Sequence, residues 1–179
     1  MKAFRLGLDV VREAVRGTLP PTRGEHSEPG ADGPAAVPSS RLDDEAVLAR
    51  FAAGAWTVLP EPGDGVAGLV RAALGDVRAL ELLVDGASTA QWLGAVAEPE
   101  LARRLPEALD RWRPRLGADR ILGAFSQGAM HGQRLLTRAD DAWPTAIDDL
   151  GPHAPSALWV RGDPSALAAC RRSDWQPAL

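Results

Sequence analysis

Apolar residues recur at helical spacing over most of the chain, and Gly and Pro cut the pattern into short lengths. Phe4, Leu8, Val11 and Val15 share one face of a helix over residues 3–16, ended by Gly17, Pro20 and Pro21. Residues 20–40 hold almost no large apolar side chain and are rich in Pro, Gly and Ser. They cannot offset their ordering entropy and read as a disordered linker, with the leading helix as an appendage or the product of a misplaced start codon. Order resumes near Arg41. Leu42, Ala46, Ala49, Ala53 and Trp56 form a stripe closed by Pro60, Pro62 and Gly63. Helices are predicted from Val66 to Leu74 and from Val77 to Val84, broken at Gly75 and closed by Gly86. Ser88 is an N-cap for a short helix to Val96. Glu100 to Trp112 and Asp119 to about His131 complete the helical set.

The pattern changes after Gly132. Arg134–Thr137 and Ala157–Arg161 read as strands, with a short helix between them that Asp140 caps and that holds Trp143, Pro144, Ile147 and Leu150. The expected organisation is an N-terminal helix and linker (1–40), a helical domain (41–132) and the start of an α/β domain (133–179). The fold class is mainly α with a small strand-helix-strand fragment.

Composition narrows the classes. With 179 residues, 45% apolar and 25% charged, the chain can bury a core, and no apolar run reaches the length of a membrane span. One cysteine, Cys170, excludes an internal disulfide framework and a cysteine-based zinc cluster. The N-terminus lacks the pattern of a secretory signal, since Asp9 and Glu13 interrupt it, so a cytoplasmic protein is expected. Lys2 is the only lysine, and Tyr and Asn are missing, a bias of coding rather than of structure.

Four groups of residues invite a chemical reading. Gly123-Ala124-Phe125-Ser126-Gln127-Gly128 resembles the nucleophile elbow of small esterases, with Asp148 or Asp149 and His153 following in triad order. An elbow needs a strand before it, and the preceding residues read as helix, so Ser126 is expected on an ordinary helix. His26, His131 and His153 are too scattered for a metal site. Asp140-Asp141 and Asp148-Asp149 suit helix capping better than metal or acid–base work. Neither a GxGxxG loop nor a GxxxxGK[ST] loop is present.

Two features point to nucleic acid. The two helices meeting at Gly75 resemble half of a helix-hairpin-helix element, in which turn amides meet a phosphate. Residues 103–133 carry Arg103, Arg104, Arg111, Arg113, Arg115 and Arg120 against three acids, a local +3, whereas residues 41–102 carry four arginines against ten acids, a local −6. The net charge of −4 makes any phosphate contact a local matter. Plain helix packing and a solvated arginine face are the alternatives.

The segment Gly132-Gln133-Arg134-Leu135-Leu136-Thr137-Arg138-Ala139-Asp140-Asp141-Ala142-Trp143-Pro144, followed by Ile147, Leu150, Ala154-Pro155 and Leu158-Trp159-Val160-Arg161-Gly162, resembles a signature of the DNA-processing protein DprA (Smf) family. Upstream, residues 55–64 and 74–80 look like that family's SAM-like helical domain, and the resemblance spans roughly residues 45–170. It implies single-stranded DNA binding and loading of a RecA-type recombinase in DNA uptake, without an enzymatic role or cofactor. Asp140, Trp143, Pro144, Leu158, Trp159 and Gly162 are its structural positions. Gly75, Arg103, Arg104, Arg111, Arg113 and Arg115 are the candidate DNA contacts read from the residues. The family continues into a Rossmann-like core where this chain reads Asp174-Trp175-Gln176-Pro177-Ala178-Leu179, so an N-terminal fragment is expected, alternatively a partner-binding helical module or an inactive remnant.

Overall fold

The computed structural model describes residues 6–20, 42–96 and 101–168. The helices are α1 (Leu8–Arg16), α2 (Asp44–Trp56), α3 (Gly65–Val84), α4 (Thr89–Ala95), α5 (Leu101–Trp112), α6 (Ala118–Met130) and α7 (Ser165–Ala168). Strands β1 (Gln133–Leu136) and β2 (Leu158–Arg161) form a two-stranded sheet, and 3-10 turns cover Arg113–Arg115 and Thr145–His153. No described helix is long and apolar enough to cross a membrane.

Local sequence explains the helix ends. Asp43 accepts a hydrogen bond from the Ala46 N–H at 2.8 Å, and Asp64 accepts from Val66 and Ala67 at 2.9 and 3.2 Å. Ser88 and Gln91 make the reciprocal capping box of α4. Gly86 (φ 67°) and Gly132 (φ 65°) follow α3 and α6 in the left-handed conformation that lets a chain leave a helix without a Cβ clash.

An aromatic chain runs through the core. Phe51 stacks on Phe125 with centroids 5.3 Å apart, Phe125 meets the edge of Trp159 at 5.5 Å, and Trp56 meets Trp112 edge-on at 5.5 Å. Burying each such ring is worth on the order of 2–3 kcal/mol before the pair geometry adds its share. Glycines permit the close approaches. A Cβ on Gly128 would lie 2.5 Å from Trp159, and one on Gly54 would overlap Phe125.

Several expectations need correction. α1 is not an appendage: Val11 and Val15 are 2% and 1% exposed and belong to the same core as α2 and α6. The apolar face of α1 needs a seat, and α2 and α6 supply one. Phe4 and the 21–40 linker reading lie outside the described residues. The boundary at 132/133 does not divide the core, because Leu135 and Ala157 are buried in the same cluster as the helices. Asp140 caps no helix. The segment after it is a 3-10 turn that starts at Thr145 with Pro144 before it and is broken at Gly151 (φ 56°, ψ −126°). The strands pair antiparallel, with Gln133 opposite Arg161 and Leu136 opposite Leu158. A connection without a full crossover helix returns the chain in the opposite direction. The outer edge of β1 is met at Leu135: its N–H donates to the Thr18 carbonyl at 2.8 Å, and its carbonyl accepts from Arg50 at 2.7 Å.

Candidate nucleic-acid interface

α3 breaks at Gly75, whose φ of 77° and ψ of 156° are open to glycine and strained for other residues. The two predicted helices therefore exist as two halves of α3. Arg71 on the first half reaches Asp76 on the second at 3.5 Å and donates to the Ala154 carbonyl at 2.9 Å. The Trp56 indole N–H donates to the Asp76 carbonyl at 3.0 Å. Burial lowers the pKa of Arg71 and raises that of Asp76, in each case against their mutual attraction. Arg71 Nε has no acceptor among the described residues. The turn at Gly75 is thus held from beneath by an ion pair whose burial outweighs its attraction.

The arginine cluster separates into two groups. Arg111 pairs with Glu61 at 3.6 Å and with Asp64 at 3.1 Å. Arg113 donates to the Ala87 carbonyl at 3.1 Å. Arg115 donates to the Leu59 carbonyl at 3.2 Å and pairs with Glu61. These three stitch the end of α5 to the loops around α3, and in this structure the charges of Arg111 and Arg115 are matched by Glu61 and Asp64. Arg103 and Arg104 on α5 and Arg120 on α6 are exposed and make no ion pair among the described residues.

Asp64 is the hub of the stitched group. Beyond capping α3 it accepts from the Trp112 indole N–H and from Arg111, each at 3.1 Å. Burial pushes its pKa up, but the hydrogen bonds from Trp112, Ala67, Arg111 and Val66 outweigh this and hold it below the ordinary 3.8. A lowered folded pKa adds stability that is complete above the unfolded value and is lost as pH falls through the folded one. Asp76 has the opposite sign: its raised pKa contributes below 3.8 and is lost as pH rises through the folded value. We expect Asp64→Asn to flatten the fall in melting temperature on acidification below about pH 4. An unchanged profile would show that the cap does not carry acid sensitivity.

The residues of the family-like signature have structural duties. Asp140 holds Arg50 by two hydrogen bonds, at 2.6 and 2.8 Å, and accepts from the Thr137 N–H at 2.7 Å and the Thr137 hydroxyl at 3.0 Å. The Arg50 and Asp140 side chains are 8% and 12% exposed. Trp143 lies under the Arg138 guanidinium at 5.5 Å, and Arg138 binds Asp148 at 2.8 Å. Pro144 precedes the 3-10 turn, Leu158 opens β2, and Gly162 (φ 100°) follows its end. The Trp159 indole donates to the Thr57 hydroxyl at 2.9 Å.

Ser126 sits exposed inside α6, with no strand before it, so the esterase-like motif has no elbow. His153 Nδ1 donates to the Gly63 carbonyl at 2.7 Å, which pins the 3-10 segment to the start of α3. Among the described residues no group of three or more His, Cys, Asp or Glu is arranged to hold a metal.

Sequence reasoning missed the pairs Arg50–Asp140 and Arg71–Asp76. The available signal was position: Arg50 lies between Val47 and Phe51 on the buried face of α2, where a cation needs a carboxylate. Comparison of the chain with family models, curated proteins and solved structures finds no match.

Proposed function

We propose that this chain is part of a DprA-like, cytoplasmic DNA-processing protein that holds single-stranded DNA for a RecA-type recombinase. The observation that supports this reading is the connected unit made by the signature residues. Asp140 clasps α2 through Arg50, Trp143 is held through Arg138 and Asp148, and Trp159 packs on Phe125 of α6. The residues on which the resemblance rests are thus in contact with the helical core as well as close in sequence. The phosphate contacts assigned to the chain are Arg103, Arg104 and Arg120, the exposed cluster members whose side chains make neither an ion pair nor a hydrogen bond among the described residues.

The test is fluorescence anisotropy of a labelled oligo-dT at low and at physiological salt. Three phosphate contacts on a single strand give a log–log salt slope near −2, so affinity falls about 20-fold between roughly 50 and 200 mM salt. Changing Arg103, Arg104 and Arg120 together to Ala removes that slope. The triple Ala variant at Arg111, Arg113 and Arg115 lowers the melting temperature instead. Affinity indifferent to salt, or to the first triple variant, would overturn the assignment.

A second reading, a helical module for a protein partner, is favoured by the exposed face of α5. It sets Arg103 and Arg104 beside Glu107 and Asp110, a mixed-sign surface on which these four make no ion pair among the described residues. No binding to oligo-dT at low salt selects this reading.

A further inference from the structure

α5 carries its exposed charges in an order ill suited to a lone helix. Leu101, Leu105, Ala108, Leu109 and Trp112 turn one face to the core. Arg103, Glu107 and Asp110, at spacing i, i+4 and i+7, share the opposite face, and Arg104 flanks them. The two arginines stand in the first turn, where the helix dipole is positive, and no acid accompanies them there. Asp110 stands in the last turn, where the dipole is negative, and Glu107 lies one turn before it. The dipole therefore opposes the arginines and Asp110.

No described group relieves this. Arg103 and Glu107 are one turn apart, in the weaker order of cation before acid. Neither they nor Arg104 nor Asp110 makes an ion pair or a hydrogen bond among the described residues. Arg111, on the same helix, differs: it is matched by Glu61 and Asp64. The four charges left on the outer face are two positive at one end and two negative at the other.

We propose that the outer face of α5 docks on the same face of a second copy of this chain, with the two helices antiparallel about a two-fold axis beside Pro106. The order of the charges selects this occupant. An acidic partner meets the two arginines and repels the two acids, and a basic partner does the reverse. An antiparallel copy meets all four. The midpoint of positions 103 and 110 falls between Pro106 and Glu107, so Arg103 faces the second copy's Asp110, and Arg104 lies within one turn of the second copy's Glu107. The two-fold axis makes each contact twice. Pro106, exposed at the centre of the face, sets an uncharged ring at the axis. The second copy's acids also bring to the first turn of α5 the negative charge that its dipole favours. With 12 residues α5 is about 18 Å long, so the contact is small, reversible and weakened by salt. The inference rests on the second reading above, in which α5 meets a protein, and names that protein.

The test is sedimentation equilibrium of the full chain from micromolar to millimolar protein, at low and at high salt. The weight-average mass should rise from monomer toward dimer at low salt and fall back at high salt. Arg103→Glu with Arg104→Glu makes the face wholly acidic, and Glu107→Arg with Asp110→Arg makes it wholly basic. Each variant alone should stay monomeric, and an equimolar mixture of the two should form a heterodimer. All four positions are exposed, and cooperative thermal melts check that the variants fold. Exchanging all four charges at once should restore self-association and raise the melting temperature, because the charges then follow the dipole. A wild-type chain that stays monomeric at every concentration in low salt overturns the proposal, as does a mixture of the two variants that does not associate. No sample contains DNA, so this failure is distinct from that of the second reading, which oligo-dT binding decides.

Discussion

Asp140→Ala is expected to lower the stability of the chain by about 3–5 kcal/mol, because it leaves the buried Arg50 guanidinium without its carboxylate. For a chain of this size that corresponds to a fall of roughly 8–16 °C in melting temperature. The loss has two parts. Arg50 keeps only the Leu135 carbonyl, and the Thr137 N–H, which donates to Asp140 at 2.7 Å, loses its acceptor. Arg50→Met should cost less, since Asp140 then keeps both Thr137 donors. The double variant should cost less than the two single losses added together, because each single change strands a buried charge. Thermal melts of the three variants check this. A loss under about 1 kcal/mol for Asp140→Ala would mean that the clasp between α2 and the β1 turn opens to water freely.

The second large effect is expected at Gly68. A Cβ there would overlap the carbonyl group of Pro152, which is backbone and has no rotamer to change. α3 and the 3-10 segment must then separate, and with them the contact of His153 with the Gly63 carbonyl. Overpacking of this kind costs about 3 kcal/mol. Gly123 in α6 is the control: apart from its chain neighbours and the backbone of its own helix, no described atom lies within 4 Å of a Cβ built there. Gly123→Ala should raise stability by about 1 kcal/mol, the ordinary helix propensity difference. Urea midpoints separate the two. Equal behaviour at both positions would remove the close approach of α3 to Pro152 as a feature of the fold.

The helical elements were legible because their signals are local. Ser88 with Gln91 and the glycines at 86 and 132 act within a few residues of the ends they set. The break at Gly75 was legible for the same reason, although the two halves it joins form one bent helix. The 3-10 segment was misread as a capped helix because Asp140 has the composition of a cap but is drawn away by Arg50, 90 residues earlier. The leading helix was misread as an appendage because its seat is built from α2 and α6, with the whole of the linker between.

The candidate interface was legible only in part. Counting charges finds the arginine-rich stretch from 103 to 120, and its local excess of +3 is a property of the chain. Counting cannot tell that Glu61 and Asp64 arrive from another segment and match Arg111 and Arg115. Nor does any pattern along the chain say that Asp140 works through a buried arginine, which lies 90 residues away.

By itself, then, the sequence determined the ends of the helices that carry their own caps and glycine stops, which faces are apolar, and that Ser126 lies on a helix. These follow from hydrogen bonds and side-chain periods that span four residues or fewer. Only the tertiary structure decided which cations are neutralised, which way the strands run and where α1 rests. Those outcomes depend on desolvation and close packing between residues far apart in the chain, and buried charge finds its partner through space rather than along the sequence.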